Sequence, residues 1–162
     1  MNFFSITIFI ISYNRLDDLR KCISFLEKDG YTNLNIIDNA STDIELISYL
    51  KKLKHNVYFL EKNWGPYVLW ESHLFDSIVE NEYYVVTDPD IIPIEQCPSD
   101  YIEYFYSILQ NYPEKTKAGF SLKLDDIPDS YPYKYDVWRG ESFYWERRLD
   151  SIKSSSINGG II

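Results

Sequence analysis

From Ser5 to Ile11 the chain is almost continuously apolar and β-branched. This run most limits the fold, because a strand without polar alternation is buried on both faces. Such strands belong inside parallel sheets that helices cover on each side. The residues that follow repeat at helical spacing, with Leu16, Leu19, Cys22, Ile23 and Leu26 on one face and Gly30 as the stop. Leu34 to Ile37 reads as a second strand, and Val57 to Leu60 as a third. Between them, Ser41 or Thr42 is expected to cap a helix whose apolar face is Ile44, Ile47, Leu50 and Leu53. Pro66 suits the first position of a helix carrying Trp70, Leu74, Ile78 and Val79. A fourth strand starts at Tyr83. Ser99 is then placed to cap a helix with Ile102, Phe105, Tyr106 and Leu109 on one face, and Lys117 to Leu124 alternates as a further strand. Strands alternating with helices at this spacing imply βαβ units. The expected fold is α/β and Rossmann-like, a mainly parallel central sheet flanked by helices, with residues 1–162 forming a single domain.

The polar turns of that arrangement all fall at the carboxyl ends of strands, where open α/β sheets bind ligands. They are Ser12 to Arg15, Asp38 to Asp43, Asn63 to Pro66, and Asp88-Pro89-Asp90. In the last of these, Pro89 disfavours a helical conformation at Asp88, so the two carboxylates are expected to be held extended and to project to one side. Two hard oxygen donors at a sheet edge suit Mg²⁺ or Mn²⁺, ions that in turn hold phosphates.

Bulk composition removes several classes. Asp and Glu total 25 against 16 Lys and Arg, a formal charge of −9, which argues against a nucleic-acid partner. Cys22 and Cys97 are the sole cysteines and lack metal-ligand spacing, which fits a reduced, cytoplasmic setting. Met1 to Ile11 has no basic leader and is too short to span a bilayer, so no integral membrane segment is expected. Fifteen tyrosines and four tryptophans raise the aromatic fraction to 17%, more than core filling requires. Those from Tyr131 to Trp145 suit a platform for the C–H faces of a sugar. Ser154 to Gly160 reads as a flexible loop.

Taken in order, Ile11-Ser12-Tyr13-Asn14-Arg15, Ile37-Asp38-Asn39-Ala40-Ser41-Thr42-Asp43, Asn63-Trp64-Gly65 and Asp88-Pro89-Asp90 resemble the motifs of GT-A fold, nucleotide-sugar-dependent glycosyltransferases. The similarity is greatest to family-2-like members. The later stretch from Gly119 to Asp129, with Trp138 to Trp145, looks like a small single-domain subgroup of them. The resemblance implies a metal-dependent transferase that moves a sugar from a nucleotide-sugar donor, a UDP sugar foremost, to a hydroxyl of a saccharide or glycan acceptor with inversion.

Position by position, the resemblance puts Ser12, Asn14 and Arg15 beside the nucleotide and makes Asp38 the reader of the base. Physically, an ionised Asp at a strand end can accept from the imide N–H of uracil or guanine. Asn63 and Gly65 would lie against the nucleotide. Asp88 would touch the ribose or a metal-bound water, and Asp90 would ligate Mn²⁺ or Mg²⁺. Glu141 aligns with the subgroup's late Trp-Glu segment as the general base, although Arg139 and Gly140 separate it from Trp138; Asp125, Asp126 and Glu146 are the fallbacks. Many GT-A enzymes add a carboxyl-terminal histidine ligand. None follows Glu146, so either phosphates and water complete the metal or the chain is a shortened catalytic unit. His55 and His73 are assigned no metal role.

Two other readings stand beside this one. A binding module could keep the fold and lack turnover. A phosphohydrolase of the haloacid-dehalogenase type also places D-x-D after a strand, but on its first strand rather than its fourth.

Overall fold

The computed structural model describes residues 2–146, with side chains described to residue 142. They form two compact units that part in sequence between Ile92 and Pro93. The expected loop at Ser154 to Gly160, and the chain end, lie outside the described residues.

In the first unit strands and helices alternate: β1 (Thr7–Ser12), α1 (Leu16–Lys28), β2 (Leu34–Asp38), α2 (Ile44–Leu50), β3 (Asn56–Phe59), α3 (Val68–Glu71), α4 (Asp76–Val79) and β4 (Tyr84–Thr87). The four strands are all parallel, in the order β3-β2-β1-β4. Every residue of β1 and β2 is buried, as the unbroken apolar runs require. The chain steps outward from β1 to β3, then returns to the far side of β1. With right-handed crossovers, that reversal sends the outward and returning helices to opposite faces. Accordingly, Val68 and Leu69 of α3 and the adjoining Phe75 pack with Phe9, Ile11 and Ile37. The Phe9 ring lies 4.8 Å from that of Phe75. Strand alternation points Ile8, Ile10, Leu34 and Ile36 to the face left for α1 and α2, whose Leu19, Cys22, Ile23, Leu26, Leu46 and Leu50 are buried.

Several local expectations are corrected. Asp43, not Ser41 or Thr42, caps α2, accepting from the N–H groups of Glu45 (2.8 Å) and Leu46 (3.0 Å). Ile44 stands 82% exposed, and Leu46 takes its place on the buried face. The helix expected after Pro66 is two four-residue pieces, α3 and α4. His73 adopts φ 58° between them, a left-handed conformation no helix can continue through. Val68, Leu69 and Phe75 therefore face the core, while Trp70 and Leu74 are exposed. Asp88-Pro89-Asp90 is not extended: the Ile91 N–H donates to the Asp88 carbonyl at 3.3 Å, closing a turn with proline at its second position, where its fixed φ is favoured.

The second unit contains α5 (Tyr101–Asn111) and α6 (Lys134–Glu146). Asp100 rather than Ser99 precedes α5 as its N-cap residue. Tyr101, Ile102 and Ile108 are its buried positions, and Phe105, Tyr106 and Leu109 are half-buried. Lys117 to Leu124 forms no strand; Phe120 instead packs at a tilt against the ring of Tyr101 (5.2 Å) and edge-on against that of Phe105 (4.9 Å), and ring packing takes the place of ladder pairing.

Candidate functional site

The strand order reverses at β1, so the carboxyl ends of β1 and β4 flank a topological switch point. There the loops on either side diverge and leave a crevice. In this chain the crevice is a cleft of about 310 Å³, lined at its β1 side by Ile11, Tyr13 and Arg15 and at its β4 side by Asp88, Pro89 and Asp90. Asn39 after β2, with Asn63, Gly65 and Pro66 after β3, completes the wall. All four strand ends contribute. Convergence of the four polar turns, expected from the sequence, is the observed arrangement.

Two asparagines hold these loops in place. Asn14, at φ 53°, donates from its side chain to Thr42 Oγ1 (3.2 Å) and accepts from the N–H groups of Thr42 (2.8 Å) and Asp43 (3.0 Å). Its amide thus ties the β1 turn to the β2 turn, and Asn14 is not among the residues lining the cleft. Asn39 is buried and does the same between β2 and β3. Its Nδ2 donates to Asn63 Oδ1 (3.1 Å) and the Gly65 carbonyl (3.0 Å), and its Oδ1 accepts from the Trp64 N–H (2.9 Å). Asn63 Oδ1 also accepts from the Gly65 N–H at 2.7 Å, and Gly65 sits at φ 78°, a conformation that side chains strain to adopt.

The sequence placed Tyr13, Asn39 and Pro66 within these turns but assigned none of them a ligand contact. Asn39 looked like an ordinary turn residue; its burial between two strand ends appears only when β2 and β3 are paired. Ser12 and Asp38, by contrast, lie behind the wall. Both are buried and neither lines the cleft. The Ser12 carbonyl accepts from the Asn39 N–H (2.9 Å), and Asp38 Oδ1 accepts from the Ser41 N–H at 3.4 Å. In this geometry both bond to the turn after β2.

The charged floor is Arg15, Asp88 and Asp90. Arg15 Nη1 donates to Asp90 Oδ2 and also lies 3.8 Å from Asp18 Oδ2. The Asp88 carboxyl is raised above its ordinary range by partial burial and by the charge of Asp90, against a smaller lowering by Arg15. Two like charges that disfavour each other in one cleft are what a cation between them would relieve. No group of three or more His, Cys, Asp or Glu side chains is gathered for a metal among the described residues. Asp88 and Asp90 could supply only two oxygen ligands to a hard divalent ion, which would need the rest from phosphates and water. Behind this floor, burial and then the charge of Asp90 push the Cys22 thiol up to about 12.

In the second unit, half-buried Glu141 lies on α6. Asp125 and Asp126 are exposed and share Lys123, at 3.2 and 3.6 Å, which is the pattern of a solvated turn. Tyr131, Tyr133, Tyr135 and Trp138 are all exposed. Glu146 belongs to α6, but its side chain lies outside those described. His55 bonds Glu27 (3.0 Å) and His73 bonds Asp76 (3.1 Å), and neither lines the cleft. No described helix is long and apolar enough to cross a membrane.

No family model matches this chain. It is similar to an uncharacterized protein of Acanthamoeba polyphaga mimivirus, with 33% identity over 140 residues. The match takes in 75% of this chain and spans only 16% of the viral protein.

Proposed function

We infer that the cleft binds a nucleoside-diphosphate sugar together with Mn²⁺ or Mg²⁺, and that the protein is a GT-A-type glycosyltransferase passing the sugar to an acceptor hydroxyl. One observation carries this reading: Asp88 and Asp90 occupy a single turn at the switch point of an all-parallel sheet, in a cleft walled by all four strand-end loops. A divalent ion bound by the two carboxylates would neutralise the charge that develops on a diphosphate leaving group. Arg15 adds a fixed positive charge and a planar fork suited to phosphate oxygens. Gly65, with open space where a Cβ would stand, lets ligand approach the backbone closely. Tyr13, 45% exposed at the cleft, offers a ring face to the nucleobase. The motif resemblance favours a UDP sugar. The motif resemblance gives Glu141 as base for an inverting displacement, and the exposed aromatics from Tyr131 to Trp138 are of a type that suits a saccharide acceptor.

A second reading, a nucleotide-binding module without turnover, is favoured by one feature. Asp88 and Asp90 are the only carboxylates lining the cleft among the described residues, and this reading gives both to the metal. Incubating the full chain with UDP and GDP sugars in Mn²⁺ separates the two. Release of free nucleoside diphosphate, lost in Glu141→Gln, is expected of the transferase. Tight binding with no release would leave only the module.

A further inference from the structure

The Arg15–Asp90 contact joins the loop after β1 to the loop after β4 across the switch point, 75 residues apart in sequence. It engages one of the two Asp90 carboxylate oxygens, so Arg15 and a metal at Asp90 would compete for the same carboxylate. We propose that Arg15 is a ligand-exchanged counter-ion: it holds Asp90 while the cleft is empty, yields that carboxylate to the divalent cation, and transfers its own charge to the diphosphate that arrives with the cation. This rests on the nucleotide-binding reading above and goes beyond it, because it predicts how the two ligands depend on each other.

Three features support the exchange. Both partners are half-exposed, with side chains 53% and 41% accessible, so water screens the pair and it opens at small cost. Asp18, one helical turn on from Arg15, lies 3.8 Å from the same guanidinium nitrogen and gives it a resting partner once Asp90 is taken. Arg15 and Asp90 both line the one cleft, so a guanidinium leaving Asp90 remains beside any phosphate bound there. In the empty site Arg15 opposes the cation twice, by competing for the Asp90 carboxylate and by like charge; with diphosphate present, the same charge becomes favourable. Cation and nucleotide should therefore bind with positive coupling that passes through Arg15.

The test measures Mn²⁺ affinity of the 162-residue chain by electron paramagnetic resonance of the free ion, with and without UDP, for the wild type, R15Q and R15K. In R15Q, Mn²⁺ without nucleotide should bind on the order of threefold to tenfold more tightly, the range of a screened ion pair removed together with a repelling charge. UDP with saturating Mn²⁺ should bind more weakly, so the enhancement of Mn²⁺ binding by UDP shrinks from both ends. R15K keeps the charge and loses the fork, and should retain weak Mn²⁺ binding alone while losing part of the UDP affinity. Unchanged or weaker Mn²⁺ binding in R15Q, with Mn²⁺-dependent UDP binding intact in the wild type, overturns the exchange and leaves the site assignment standing. If the wild type itself binds no Mn²⁺ even with UDP, the nucleotide reading falls and the exchange falls with it.

Discussion

At the scale of single residues, the cleft separates side chains that face its space from those that build its wall. Asn39 is a builder. It is buried with three side-chain hydrogen bonds, so Asn39→Ala would strand the Trp64 N–H and the Gly65 carbonyl and should cost about 1–3 kcal/mol, read from denaturant unfolding. Asp88 faces the space. Its carboxyl titrates above the ordinary 3.8, so the fold favours the protonated form. The stability this provides is complete below the ordinary value and is lost as pH rises through the raised one. Asp88→Asn should then melt above the wild type near neutral pH in chelator, with the difference vanishing in acid. An Asn variant that melts lower at neutral pH would show that Asp88 is held by contacts rather than tolerated at a cost. Cys22, pushed up to about 12, stays a protonated thiol at neutral pH; iodoacetamide should modify the half-buried Cys97 and spare Cys22 until the fold opens.

Among the elements, β1 and its neighbours were legible in the sequence, because an unbroken apolar run has few other uses. Phe9 shows what that burial is worth: it is fully buried against Phe75 and Tyr84, and Phe9→Ala should destabilise by about 3–5 kcal/mol. Elements whose form depends on one backbone angle or one competing bond were not legible. Nothing in the apolar spacing of Trp70, Leu74 and Ile78 shows that His73 turns left-handed and splits the helix. Ser41 and Thr42 are good caps by type, yet their hydroxyls bond Asn14, 27 and 28 residues away in sequence, and Asp43 does the capping. Asp43→Ala should therefore cost about 1 kcal/mol while Thr42→Ala leaves the helix cap intact, a contrast thermal melts can read. The Asp-Pro-Asp segment was placed at the right strand end but given the wrong shape, because Pro89 serves a turn as readily as an extended run.

For the molecule as a whole, the order β3-β2-β1-β4 turns four separate polar turns into one site. The sequence carried the turns and their spacing, but which loops share a cleft is a property of the reversal at β1. That reversal puts Arg15 beside Asp90 and sets Ser12 and Asp38 behind the wall. The central claim is that this switch point takes a nucleoside diphosphate through a metal on Asp88 and Asp90, and calorimetric titration tests it most directly. The wild type and Asp90→Asn would be titrated with UDP, GDP and CMP in Mn²⁺ and again in chelator. The account predicts that the wild type binds one diphosphate only with Mn²⁺, and that Asp90→Asn keeps the wild-type circular dichroism while losing that binding. Equal binding by both proteins, or binding that chelator does not weaken, would contradict it.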